Sequence, residues 1–219
     1  MKGRKERQSA IVYGASGHGK VVADILHACG IEVEGFVDDD PRLCKQGTGL
    51  KILGDARWLI QEAARRPLAV ALGIGDNFAR RSVAECVVRS TAVLITAVHP
   101  SATISPSATI CSGTVIMPHA VVNAGAVIEC GAIINTAAIV EHDCIVGSYC
   151  HLSPHATIGG HVEVGELAWL GIGSSVIPEI KVGRCSIVGA GATVISNIDE
   201  WVVTVGTPAR TLKKLARAV

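Results

Sequence analysis

An α/β unit followed by a solenoid of short parallel strands is the fold this chain predicts, and three observations predict it. Aliphatic residues recur every six positions from Ile104 to Val194. Aromatic residues make up 3% of the chain while glycines number 24, a balance that suits thin repeated layers better than one bulky core. Ahead of the repeat, a short apolar run, a glycine loop and a helical segment follow one another from Ala10 to Ala28, as at the opening of a βαβ unit. With 219 residues and an apolar share of 49%, the chain has material for one large domain or two small ones. Lysine and arginine number 20 against 19 acidic residues, so no net field draws it to nucleic acid or to an anionic membrane.

Taken in order, residues 10–13 predict a buried strand, Gly14-Ala15-Ser16-Gly17-His18-Gly19 a loop, and Lys20 to Ala28 a helix with Val21, Val22, Ile25 and Leu26 facing a core. Loop N–H groups and a helix N-terminus can receive phosphate. The run Asp38-Asp39-Asp40 follows Gly35-Phe36-Val37, about 20 residues on, where an acid would meet a ribose. Ser16 occupies the second glycine position of a GxGxxG loop, which argues against a dinucleotide site and leaves a plain strand-to-helix turn as the rival reading. Ala69 to Leu72 predicts another strand running into Gly73-Ile74-Gly75-Asp76-Asn77, a second loop on the same edge. Asp55 to Arg65 and Phe78 to Arg89 predict helices, and Val93 to Ile95 a strand. The boundary falls near Ala97 to Thr103, dividing the chain into 1–98, 99–198 and a capping segment 199–219, in which Arg210 to Val219 predicts a short basic helix over the open end of the repeats.

From Ile104 to Val194, sixteen consecutive positions spaced by six are Ile, Val or Leu. Six is even, so strand geometry returns each to one face, whereas on an α-helix the step turns ~240° and scatters them. Two residues before each aliphatic the side chain is usually small, as at Ala126, Ala132, Cys144 and Cys150, and glycine is common just after, as at Gly147, Gly159 and Gly165. Small residues permit close stacking at corners, and glycine suits tight turns. Cys144 and Cys150 are therefore packing residues.

No two of the eight cysteines form a CxxC pair, which argues against a structural zinc or a redox dithiol. The basic start Met1 to Arg7 precedes too short an apolar run for a signal peptide. Free thiols then make the cytoplasm the expected compartment. Ser90 to Ile128 carries no formal charge, but Pro100, Pro106, Pro118 and many hydroxyl residues argue against a membrane span.

The hexads, the Gly14 to Gly19 loop, the Asp38 to Asp40 run, and Asn135 through Glu141-His142-Asp143 together resemble one family over nearly the whole chain. It is the hexapeptide-repeat acyltransferase family of sialic-acid synthesis and protein glycosylation, which includes bacterial UDP-4-amino-sugar and GDP-perosamine N-acetyltransferases. The resemblance implies a Rossmann-like domain that holds a nucleotide sugar. It also implies a left-handed parallel β-helix with three hexads to a triangular coil, a homotrimer, and acetyl-CoA lying between adjacent helices. It makes His142 the general base, Asp143 its acidic partner and Glu141 the fallback. A base near neutrality suits amine attack on a thioester, and an adjacent carboxylate orients the ring. His151 and Arg210 become acetyl-CoA contacts, with Gly160 offering its N–H to the oxyanion. Gly14, Ser16, His18, Asp38, Asp39, Gly75, Asn77 and Asn135 become contacts of the nucleotide sugar. His119, His155 and His161 sit at ordinary coil positions and are taken as surface residues.

The expected reaction is direct acetyl transfer from acetyl-CoA to the amine of a 4-amino-4,6-dideoxy sugar on UDP or GDP, with no metal. Acetylation of a sialic-acid or related hydroxyl is the nearest alternative. A trimer with a vestigial site and an NAD-dependent enzyme are more distant ones.

Overall fold

The computed structural model describes residues 8–40, 42 and 51–216. The first unit comprises β1 (Ser9–Tyr13), α1 (Gly17–Ala28), β2 (Glu32–Val37), β3 (Ile52–Gly54), α2 (Ala56–Ala63), β4 (Ala69–Leu72), α3 (Asn77–Arg89) and β5 (Val93–Leu94). The five strands form one parallel sheet in the order β3-β2-β1-β4-β5. Alternation along β1 decides which helix covers which face. Ala10 and Val12 pack with Val22, Ile25 and Leu26 of α1, while Ile11 and Tyr13 pack with Leu59 of α2 and Val87 of α3.

The strand order reverses between β1 and β4, so their C-terminal loops flank a crevice of the kind in which α/β sheets bind ligands. Both loops need glycine there. Gly14 has φ +110°, and a Cβ on it would stand 2.5 Å from the Gly73 carbonyl oxygen. Helix α1 starts at Gly17, earlier than the sequence pattern suggested, because glycines 17 and 19 form its first turn.

The second unit is a left-handed β-helix whose two-residue strands stack into three parallel sheets. One face runs from Ala97–Val98 through Val115–Ile116, Ile133–Ile134, His151–Leu152 and Trp169–Leu170 to Ile187–Val188. A second runs from Thr103–Ile104 to Thr193–Val194, and a third from Thr109–Ile110 to Lys181–Val182. Each strand pairs with the residue 18 positions on, as Val122 does with Val140. The hexad aliphatics fill the interior, with Ile128, Ile134, Val140, Val146, Leu152 and Ile158 all shielded from solvent. Cys144 and Cys150 lie in that core.

The turns differ from expectation. The residue with a left-handed backbone is the one three before each aliphatic, as at Asp143 (φ 58°) and His161 (φ 58°). The glycines just after the aliphatics serve close stacking instead: a Cβ on Gly159 would stand 2.7 Å from the Pro178 nitrogen of the next coil.

The first face carries the α/β unit, since Val115, Met117 and Ile133 join the α1 core cluster. Fully buried Arg80 ties the two units together. Its Nε donates to the Gly131 carbonyl at 2.7 Å, and Nη2 donates to the carbonyls of Tyr149 (2.7 Å) and Cys150 (3.2 Å). Nη1 donates to the carbonyls of Ile74 (3.1 Å) and Gly75 (2.9 Å) in the second glycine loop.

Where a C-terminal helix was expected, Arg210–Lys214 form a strand and residues 215–216 are irregular. Arg210–Lys214 pairs antiparallel with Val202–Val205, which extends the first face. The β-branched Val202, Val203, Thr204 and Val205 present an open edge, and satisfying its backbone groups outweighs the helical preference of Leu212-Lys213-Lys214. Residues 217–219 of the expected helix lie outside the described residues. No described helix is long and apolar enough to cross a membrane.

Candidate active site

The predicted site residues fall into two groups at different places on the chain. The first lies where the glycine loops meet the first face. Ser16 is the N-cap of α1, and its side chain makes no capping bond, so a free hydroxyl and the first N–H groups of a 12-residue helix face the crevice beside Gly14. A Cβ on Gly17 would meet nothing within 4 Å, so this end of the helix is open. Asp38 accepts from the N–H groups of Ala15 (2.7 Å) and Asp40 (2.9 Å). Asp39 accepts from the Tyr13 hydroxyl (2.8 Å) and the Ala56 N–H (2.9 Å). Both carboxylates thus shape the crevice wall and keep further lone pairs for a ligand. Burial, with Asp39 beside it, pushes the Tyr13 phenol up.

His151 interrupts the apolar column Val115, Ile133, Trp169, Ile187 on the first face, and it is 8% exposed. Its tautomer follows from its neighbours. The Thr136 N–H donates to Asn135 Oδ1 at 2.8 Å, so Asn135 Nδ2 is the atom that faces His151 Nε2 at 2.9 Å. That Nε2 must accept, which leaves the ring proton on Nδ1. Trp169 stacks on the ring with centroids 5.7 Å apart, and its indole N–H donates to Ser153 Oγ at 2.8 Å. His18 stands across from it, centroids 6.4 Å apart. His18 Nε2 and His151 Nδ1 are both buried without a hydrogen-bond partner. Burial, and then the Arg80 charge, hold His18 down to about 4 and His151 down to about 3, so both rings are neutral. Burial also lowers Arg80 itself, to about 10. An apolar cavity of about 350 Å³ opens beside this group, walled by Phe78, Trp169, Ile187 and Trp201.

The structure places His151 with Asn135 and His18, the residues expected to hold the nucleotide sugar. Gly75 lends its carbonyl to Arg80. Asn77 gives both amide protons to the carbonyls of Leu167 and Ala168 and its oxygen to Arg80, so its side chain is spent within the chain. Arg210 is exposed on the edge strand and donates to its neighbour's carbonyl at 2.8 Å.

The second group occupies the vertex between the second and third faces. The carboxylate of Asp143 stands 2.9 Å from His142 Nδ1, and an ionised carboxylate only accepts, so Nδ1 carries the proton and Nε2 of the neutral ring holds a free lone pair. Gly160 lies against that nitrogen, since a Cβ there would stand 2.6 Å from both Nε2 and Cε1. Gly125 makes room for Asp143, whose Oδ1 a Cβ on that glycine would strike. Glu141 instead accepts from Asn123 Nδ2 at 3.0 Å, which makes Asp143 the partner of His142. An imidazole lone pair, a carboxylate that orients the ring and a glycine backbone beside it are groups that acyl transfer can use.

Arg80 was missed, because it reads in sequence as one more solvated helix position. His161 is exposed, as expected of a surface residue; its ring meets that of His142 edge-on with centroids 5.3 Å apart, and its Nε2 lies 3.8 Å from Asp143 Oδ2. It stands 18 residues after Asp143, one coil later in the same column.

A family profile described as the PglD N-terminal domain matches residues 9–87. The crystal structure of PerB from Caulobacter crescentus in complex with CoA and GDP-perosamine is 37% identical, covers 94% of this chain and 97% of that one, and superposes with a TM-score of 0.89. The acetyltransferase domain of PglB from Neisseria gonorrhoeae is 35% identical over 94% of this chain and 100% of its own, with a TM-score of 0.86. WeeI from Acinetobacter baumannii, 23% identical with a TM-score of 0.76, shares the fold. Curated relatives match over a shorter stretch. Galactoside O-acetyltransferase of Lactococcus lactis is 39% identical over 54 residues, 25% of this chain and 26% of that one, so the chain spans about a quarter of such relatives. The chain belongs to the hexapeptide-repeat acyltransferase family in which a PglD-type N-terminal domain precedes a left-handed β-helix, and it is an acetyltransferase by that membership.

Proposed function

We propose that this enzyme transfers the acetyl group of acetyl-CoA to the amine of a 4-amino-4,6-dideoxy sugar linked to UDP or GDP. The observation that carries the reading is the likeness, over 97% of its length, to a protein whose structure holds CoA and GDP-perosamine together. The glycine-loop crevice, with Ser16, His18, Asp38, Asp39 and the open start of α1, receives the nucleotide. His142 Nε2 takes a proton from the amine as the N–C bond forms, Asp143 supports the imidazolium, and the Gly160 N–H faces the oxyanion. The tetrahedral intermediate then expels CoA as its thiolate. His151, neutral and fixed by Asn135, contributes hydrogen-bonding shape rather than charge. No step requires a metal.

The topology supports a shared site. In a triangular coil the vertex that bears His142 lies opposite the first face, which carries the α/β unit. A nucleotide sugar held by one chain therefore meets the His142 of a neighbour, as in a homotrimer.

The test is release of CoA thiol from acetyl-CoA with a panel of UDP- and GDP-linked 4-amino sugars. Turnover of at least one of them is expected. Silence across the panel together with turnover of a galactoside or sialic-acid hydroxyl would replace the amine acceptor with an alcohol.

A further inference from the structure

His142, Asp143 and His161 form the cluster of possible metal ligands among the described residues, with their ligand atoms all within 4.8 Å of one another. We propose that this vertex is a binding site for one zinc-class divalent ion, held by His142 Nδ1, Asp143 Oδ2 and His161 Nε2. The ion is not needed for turnover and would shut it off.

The geometry is close to what such an ion demands. Bonds of about 2.0–2.2 Å at tetrahedral angles put ligand atoms roughly 3.3 Å apart. The observed separations straddle that figure, at 2.9 Å from His142 Nδ1 to Asp143 Oδ2 and 3.8 Å from His161 Nε2 to the same oxygen. The two imidazoles stand at 90° to each other, so they converge on the carboxylate instead of stacking. The backbone fixes their spacing, because the His161 N–H donates to the His142 carbonyl at 3.0 Å. All three side chains are exposed, which leaves a fourth position for water. Two neutral imidazoles and one carboxylate are a zinc-type donor set.

Inhibition follows from the tautomer and rests on the reading of His142 as base. An ion on Nδ1 displaces the proton that Asp143 now accepts. In the neutral ring that proton moves to Nε2, the atom that must receive one from the amine. The ion thus occupies one nitrogen and disables the other, with no net change in protons.

Cobalt(II) is the probe, titrated into the full-length protein without CoA, whose thiol binds metals. Visible d–d bands saturating at one ion per chain, without a sulfur charge-transfer band and competed by Zn²⁺, are expected. In His161→Asn, which keeps a residue suited to left-handed backbone, affinity should fall at least about tenfold while metal-free turnover stays within about twofold. Turnover followed by acetylated product should be blocked by Zn²⁺ in the wild type and resist it in the variant. Absence of the bands, bands unchanged in His161→Asn, or sulfur charge transfer from the cysteines would each overturn the site. Cobalt bound as described with turnover unaffected by Zn²⁺ would leave the site standing and remove His142 as the base.

Discussion

Gly160 gives the most local test of the vertex. Alanine there would place a Cβ 2.6 Å from the reactive edge of His142, so the ring must turn away. Because misplacement of about 1 Å costs roughly 10²-fold, Gly160→Ala should lower kcat by about that factor. The His142 ring is exposed and can turn into solvent, so the chain should still fold, as circular dichroism and thermal melting would confirm. The buried histidines make a second prediction. Their native pKa values, about 4 for His18 and about 3 for His151, lie below the ordinary value near 6.5. Between those limits the unfolded chain binds more protons, so stability is intact above pH of about 6.5 and falls as pH drops toward 4. Denaturant midpoints measured across that window should decline, and His151→Gln should decline less steeply. Asn135, His142 and Asp143 were legible because they stand in a motif. The neutrality of His151 was not, because it depends first on burial and then on Arg80, which is 71 positions away in sequence (151 − 80).

At the scale of elements, Arg80 is the residue on which the join of the two units depends. Removing its guanidinium strands carbonyls of Gly131, Tyr149 and Cys150 at the interface and of Ile74 and Gly75 in the second glycine loop. Arg80→Met should cost about 3 kcal/mol or more in urea unfolding, as deletion from a buried polar network does, and should weaken nucleotide-sugar binding through the displaced loop. The first turn of α1 makes the complementary prediction. Gly17→Glu has space for its side chain but sets a negative charge where a phosphate would lie. KM for the nucleotide sugar should rise at least about tenfold with little change in melting temperature. The repeat was readable because a step of six has one geometric solution. The C-terminal strand was not, since Leu212-Lys213-Lys214 carries helical preference and only the neighbouring edge of Val202–Val205 turns it into a strand.

On the proposed mechanism, the whole molecule divides binding and chemistry between the α/β unit on the first face and the vertex opposite. If each site joins the crevice of one chain to the His142 of the next, then Gly17→Glu and His142→Ala chains, each of low activity alone when the nucleotide sugar is held well below KM, should complement when denatured together and refolded in equal amounts. Random assembly would return about a quarter of wild-type activity, because each site needs one sound crevice and one sound vertex from different neighbours. A site contained within one chain would return none. Acetylation of the accepted nucleotide-linked amino sugar, compared between wild type and His142→Ala at saturating acetyl-CoA, decides whether His142 is the base. A fall in kcat of about 10²-fold or more, with the fold and acetyl-CoA binding retained, is the predicted result; undiminished turnover would contradict it.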